Sequence, residues 1–486
     1  MRTRCRRIFL ALALFLALFT HAWADDVSPM LSPAALQADG RLLRETLQAL
    51  HPGLYRYNSP SQIEAHFQQL QARFRTSQSV AQAYLAFAAF TAQVKCSNTG
   101  PDFDNQPDHV RHAVLEAPRL PFYFRWLNER MVITRSFNPE LPIGTQVLRL
   151  DGVPVEQILQ ALLPLVSADG NNEAQRFSGL EVQGRRPVEA FDVYWPLRFP
   201  LEGRQLQLSV LKPNASRIQQ IKLPLQAFAD RTAIRQADNN PLARWQLRFP
   251  NPRIALLQMP SWAVGDWDWR GFLQQSFQKL AEKQVSELVI DLRGNEGGAD
   301  AVGDSLLGYL MDQSPLPKPM LDKVRYQQVP ALLRPHLETA DPSFYRWNTV
   351  PDADADGLFA LFNGQTATNP LTLLAPGFRG RVVLLVDGSN RAASFQFAQR
   401  VRELRRGLLF GRPTGGNLRG SNDGAFMYLR LPGSGIEIDI PLVAHFSTKP
   451  EAEAGLLPDV TINTTPAQIA AGRDSEWEML WRWLGR

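Results

Sequence analysis

The residues best placed to do chemistry in this chain stand in two turns, each between an apolar strand-like run and a helix-like one. The first turn is Arg293-Gly294-Asn295-Glu296-Gly297-Gly298, after the run Glu287 to Leu292. Glycines in such a place let backbone N–H groups face a ligand, and the helix that follows adds partial positive charge, so the turn suits a developing oxyanion or a carboxylate. The same glycines also serve a tight turn packed on its own helix, and both uses are open. A phosphate loop is excluded, because no Gly-Lys-Ser/Thr follows. The second turn, Asp387-Gly388-Ser389-Asn390-Arg391, leads into Ala392-Ala393-Ser394-Phe395-Gln396-Phe397-Ala398. In an open α/β sheet, ligands bind where strands end in turns of this kind.

Other reactive side chains have plainer uses. Cys96, at the end of a helix-like stretch, is either a thiol nucleophile or a small buried hydrophobe, and lone cysteines are more often the second. His445 follows the run Ile440 to Val443 and reads as an ordinary surface imidazole. Glu437 and Asp439 alternate with Ile436, Ile438 and Ile440, as a half-buried strand requires. Trp262, Trp267 and Trp269 either line a cleft or pack in the core, and packing is the commoner use. No cluster of His, Cys, Asp or Glu has metal-ligand spacing, so neither a metal nor another cofactor is expected.

The elements that must hold these groups fall into three regions. Ser59-Pro60 and the repeats Ile63, Phe67, Leu70, Phe74, then Val80, Tyr84, Phe87, Thr91, Val94, predict an N-terminal helical region over residues 25–118, which runs into the turn Lys95 to Gly100. Short alternating runs predict a β-rich module over 119–240, with strands near Phe122, Met131 and Gln146 to Leu150, a helix Val155 to Leu162, and strands near Phe191 to Trp195 and Gln205 to Leu211. Residues 241–486 read as a mixed α/β core: strand Ile254 to Leu257, helix Trp269 to Leu280, strand Glu287 to Leu292, strand Val382 to Val386 and helix Ala392 to Leu404. The proline-rich, weakly periodic stretch at about 314–378 reads as an insertion. The tail Glu476 to Leu484 is an amphipathic helix suited to docking on the core.

Composition places the chain among ordinary globular proteins: 486 residues, 44% hydrophobic and 20% charged, long enough for two to four domains. Residues 1–24 differ. Arg2, Arg4, Arg6 and Arg7 precede the apolar run Ile8 to Phe19, which closes on Ala22-Trp23-Ala24, the pattern of a cleaved secretory signal. Twelve apolar residues are too few to span a bilayer, so the mature protein is expected to be soluble and exported, periplasmic or secreted, with no transmembrane segment. Without the leader's four arginines the chain holds 48 basic against 47 acidic residues, a net of +1, which removes the argument for nucleic acid as a partner. Cys5 leaves with the leader, so no internal disulfide can form.

The string Val289-Ile290-Asp291-Leu292-Arg293-Gly294-Asn295-Glu296-Gly297-Gly298 resembles the core turn of the tail-specific, or C-terminal-processing, serine peptidases. In the same order as that family come His51-Pro52-Gly53-Leu54-Tyr55, a stretch from Gln146 to Ile158 similar to a degenerate PDZ domain, Gly411-Arg412-Pro413-Thr414-Gly415-Gly416, Leu431-Pro432-Gly433-Ser434-Gly435 and Leu457-Pro458-Asp459-Val460. The resemblance implies a mixed α/β fold with a βαβ core, an N-terminal helical region and a PDZ-like module. It also maps the family's nucleophilic serine onto Ala392, and its alternative bases, a histidine or a lysine, onto Asn98 and Asn417. Gly297, Gly298 and Ala393 fall at the oxyanion and peptide-binding positions.

None of the three inherited positions carries a group that can attack or take a proton, and binding with an oxyanion hole alone retains only about 10³ to 10⁴-fold over water. Ser394 lies about 200° around the helix from Ala392 and is expected on its other side. Ser389, in the turn, is the other fallback nucleophile. The leading expectation is an exported peptidase-like protein, catalytically impaired, that binds a peptide or protein segment. The rivals are an active serine peptidase with a relocated nucleophile and a structural scaffold in an envelope assembly.

Overall fold

The computed structural model describes residues 30–201, 203–238, 245–313, 320–361, 371–447 and 451–485, and the expected leader lies outside them. Its N-terminal part is helical, with helices Pro33–Leu50, Pro60–Arg73, Val80–Val94 and Asp108–Val114. Ser59 and Ser79 each cap a helix, and Gln62 and Gln82 return a bond to the cap backbone, which satisfies amides that the first turn leaves unpaired.

An antiparallel sheet follows in the order Phe122–Leu127, Arg130–Ser136, Gln146–Leu150, Gln205–Leu211, Gln219–Pro224, with the short strand Val153–Pro154 beside the third. The helix Val155–Leu162 forms as expected. Phe191 to Trp195 does not form the expected strand; it lies in the helix Ala190–Arg198. Five consecutive buried residues hide the period there, and the helix is chosen by an i,i+4 contact, Phe191 stacked on Trp195 with ring centroids 5.9 Å apart.

A second sheet runs Leu337–Glu338, Gly420–Arg430, Glu437–Ser447, Met320–Val324, Phe359–Ala360. Three of its strands come from the proline-rich stretch read as an insertion, which is thus built into a sheet. Strands this short carry too few residues for an alternation to show.

The third sheet is the α/β core, in the order Val460–Thr461, Gly407–Gly411, Arg381–Val386, Glu287–Asp291, Ile254–Gln258, Gln246–Asn251. Its pairings are parallel except for the edge strand Gln246–Asn251. Glu287–Asp291 and Arg381–Val386 are neighbours in register, Asp291 opposite Leu385, so the two turns of interest emerge side by side. The helices Trp269–Glu282, Asp300–Leu310 and Ala392–Glu403 cover one face. The other face buries Leu480 and Leu484 of the terminal helix Ser475–Leu484 against Val289, Val383 and Phe410, about 1.5–3 kcal/mol for each leucine.

The helical region, the β module and the second sheet share one continuous apolar cluster, from Leu36 through Phe124 to Ile440. The change of sequence character near residue 118 is therefore not a break in the core. The whole is a mixed α/β architecture.

Candidate functional site

A cavity of about 590 Å³ lies where the helical region, the β module, the second sheet and the α/β core meet. Asn98, Asp102 and Asp104 line it from the loop after the helix Val80–Val94, Ser178, Arg185, Arg186 and Tyr194 from the β module, Tyr428 and Asp439 from the second sheet, and Glu296, Ser389 and Arg391 from the core turns.

At the core end, the two turns are closely interlocked. Gly297 has φ +99° and Gly298 φ +134°, backbone that disfavours any side chain. A Cβ on Gly298 would sit 2.2 Å from the backbone of Trp262, whose N–H donates to Gly297 O at 3.0 Å. A Cβ on Gly297 would be 3.1 Å from the Cβ of Ala392. The Gly297 N–H is itself committed, donating to Asn295 Oδ1 at 2.8 Å. The glycine pair thus serves the close packing of Trp262 and Ala392 against the turn.

Ala392 opens the helix Ala392–Glu403 with φ +46°, the left-handed region that L side chains rarely adopt. Beside it, Arg391 spans two partners: Nη1 donates to Asn98 Oδ1 at 2.7 Å and Nη2 to Glu296 Oε2 at 3.1 Å. Arg186 also contacts Glu296. Burial pushes the Glu296 carboxyl up, but the two guanidiniums outweigh it and hold it below the usual range. Asn98 is engaged on its other side too, Nδ2 donating to Asn422 O at 2.7 Å. Asn98 and Ala392, 294 positions apart, are thereby joined through Arg391, with Gly297 in contact. The cavity wall here is Asn98, Glu296 and Arg391; Ala392, Ala393, Gly297 and Gly298 lie outside it.

Asn417 is buried away from this cavity, donating from Nδ2 to Asp169 O at 3.0 Å and accepting from Arg419 N at 3.0 Å. Ser394 is fully buried, with Oγ 2.8 Å from Asn295 O and 3.0 Å from Arg391 O. It faces the backbone of the glycine turn, a placement that helical angle alone did not anticipate. Ser389 does line the cavity; its hydroxyl meets Ser178 Oγ at 2.8 Å and accepts from Arg185 Nη1 at 2.8 Å. Neither partner can take a proton as a base at neutral pH.

Cys96 is buried, and burial pushes its thiol up to about 11, which leaves it protonated and unreactive. The imidazole closest in sequence order to the family motifs, His51, meets Thr99 Oγ1 through Nε2 at 2.8 Å. Burial, with Arg325 and Arg56 nearby, lowers it to about 3, so it stays neutral. His445 is not a surface residue: it is buried between Asp322, 2.6 Å from Nδ1, and Asp423, 2.5 Å from Nε2. Burial lowers its pKa, but those two bonds outweigh it and raise it to about 9. Trp262, Trp267 and Trp269 pack in the core and none lines the cavity. Among the described residues no His/Cys/Asp/Glu group could hold a metal ion, and no helix is long and apolar enough to cross a membrane.

Two sets of residues escaped sequence reasoning. Arg391, Arg186 and Glu296 close the core end, and Asp102, Asp104, Tyr194 and Tyr428 join Asp439 at the other. Only Pro101-Asp102-Phe103-Asp104, acids clustered straight after the turn, gave a local signal.

Residues 253–462 match the family model of peptidase family S41. Over nearly the whole chain the fold is similar to that of mature CPAF: in its complex with lactacystin, 13% identity, 93% of this chain and 97% of that one, TM-score 0.65. A second structure of mature CPAF gives 13% identity, 92% and 95% coverage, and a TM-score of 0.61. The α/β core of this chain thus matches peptidase family S41 in sequence, and nearly the whole chain shares the fold of mature CPAF.

Proposed function

We propose that this protein is an exported S41 peptidase homologue that has lost its own hydrolytic centre and binds a peptide or protein segment in the cavity. The observation that carries this reading is the left-handed backbone of Ala392 at the start of its helix, against Gly297. Holding a non-glycine residue in that region costs about 1–2 kcal/mol, a strain that functional positions retain and ordinary helix starts do not need. At Ala392 the geometry persists without a hydroxyl to use it. Asn98, mapped to the base, has both ends of its amide engaged and no charge to take up a proton. Arg391 fills the space between them.

A binding role needs only the cavity and strand edges that can accept an extended segment. The strand Gln219–Pro224 ends its sheet, and in the PDZ-like reading of residues 119–240 it offers such an edge. Export rests on the leader pattern of residues 1–24. A relocated nucleophile has one point in its favour, that Ser389 reaches the cavity.

The test compares the unmodified protein, Ala392→Ser, Asn98→His and the double variant on one peptide panel with a serine-directed phosphonate. The unmodified protein should not exceed background. Each single change should recover little, and the double change should gain more than the two singles combined, because nucleophile and base act as a unit. Probe-sensitive turnover by the unmodified protein, abolished by Ser389→Ala or Ser394→Ala, would show that the nucleophile has moved.

A further inference from the structure

The end of the cavity opposite Arg391 is built from Asp102, Asp104, Asp439, Tyr194, Tyr428 and Phe103. The backbone forces them together. Asp439 N donates to Gly100 O at 2.9 Å, which lays the loop carrying Asp102 along the strand Glu437–Ser447, and Tyr428 is the cross-strand partner of Asp439. Phe103 meets Tyr194 edge to face, centroids 6.0 Å apart.

The polar groups here are only partly closed among themselves. Asp439 shares a side-chain hydrogen bond with Asp102, while its Oδ1 is cut off from solvent and accepts no bond from any donor group among the described residues. Tyr194 is only 6% exposed, lines the cavity, and its hydroxyl meets no donor or acceptor among the described residues. The nearby cations are committed elsewhere or act from a distance. Arg186 is in contact with Glu296 and acts on Asp102 and Asp104 only through space, as Arg111 does on Asp104. Burial, then the charge of Asp102 and the hydrogen bond to it, push Asp439 up to about 9, so the two carboxyls share a proton where they lack a counter-ion. Three carboxyl groups, Asp439 giving up its proton to the incoming charge, and the free Tyr194 hydroxyl between aromatic rings fit an organic cation, which takes the place of the shared proton while the ring faces take its apolar stem and add cation–π attraction. A metal ion fits less well, since no metal-holding group occurs among the described residues.

We propose that this end of the cavity seats a lysine or arginine side chain of the bound segment, between Asp102 and Asp439 and against Tyr194. The assignment rests on the peptide-binding reading above and narrows it to segments with a basic residue.

The experiment measures binding of pools of fluorescent, N-acetylated, C-amidated nonapeptides by anisotropy. The flanks are degenerate in Ala, Ser, Leu, Phe and Gln, and the central residue is Lys, Arg, norleucine or Glu. The Lys and Arg pools should bind at least tenfold more tightly than norleucine. Asp439→Asn should cut that preference to less than threefold without loss of fold, and Tyr194→Phe, which removes one hydroxyl, should weaken Lys and Arg binding alone, about threefold. Equal binding of the norleucine and Lys pools would overturn the basic-residue assignment and leave peptide binding standing. A Lys preference unchanged in both variants would also overturn it, because the cation would then sit elsewhere. No binding of any pool would overturn the assignment and the peptide-binding reading together.

Discussion

The two ends of the cavity differ in how their polar groups are satisfied. At the core end every group of interest has a protein partner: Gly297 N–H on Asn295, Arg391 on Asn98 and Glu296, Ser394 against Asn295 O. At the acid end Asp439 is bonded only to another acid, Asp102, its Oδ1 accepts no bond, the Tyr194 hydroxyl has no partner among the described residues, and Asp439 keeps a proton that its ordinary pKa would release. An unpaired buried polar group costs about 1–3 kcal/mol, so a protein retains one only where something offsets the loss. The end onto which the family's catalytic positions map is closed by protein partners, and the acid end keeps polar groups open to the cavity.

The sharpest way to break this comparison is at Gly298. If the glycine pair now serves packing, Gly298→Ala must push Trp262 aside and strain a φ of +134°, and should lower stability by about 2–4 kcal/mol in urea unfolding. A change under 1 kcal/mol would mean that the turn is loose and free to meet a ligand.

Asp439→Asn tests the other end, and the sign is opposite. A carboxyl raised from 3.8 to about 9 in the folded state binds a proton that the unfolded chain has released, so its contribution to stability is full below about pH 4 and is lost as pH rises towards 9. The asparagine variant removes that loss. It should be more stable than the parent at pH 7, by about 2 kcal/mol, and its stability should fall less steeply between pH 5 and 9 in thermal melts. His445, raised to about 9 between its two carboxylates, loses its own contribution between about pH 6.5 and 9 in both proteins, so the parent's remaining slope there should persist in the variant. A destabilised Asp439→Asn would show that the carboxyl is already well paired.

The smallest effect is expected at Ala392. Ala392→Gly relieves a left-handed φ and should raise stability by about 0.5–1 kcal/mol, less the entropy cost of glycine at a helix start. A clear loss would argue that the methyl group packs on Gly297 more than the backbone is strained.

How much of this was legible beforehand depends on the range of the interactions. The glycine turn, the helix Val155–Leu162 and the core strands announce themselves through period, caps and apolar runs, all local in sequence. The resemblance of the core to S41 peptidases and the identities at Ala392 and Asn98 were likewise readable from short strings, since which side chain stands at a position is a fact of sequence. The helix Ala190–Arg198 was not, because a fully buried run shows no period until its neighbours are known.

The sequence by itself determined that position 392 carries no hydroxyl and positions 98 and 417 no base. Only the tertiary structure decided what surrounds them. Arg391 reaches across 293 positions to Asn98, and Asp102 meets a strand more than 330 residues later at Asp439. Whether a buried charge is neutralised or left waiting depends on which distant side chains fold against it, and no local pattern encodes that.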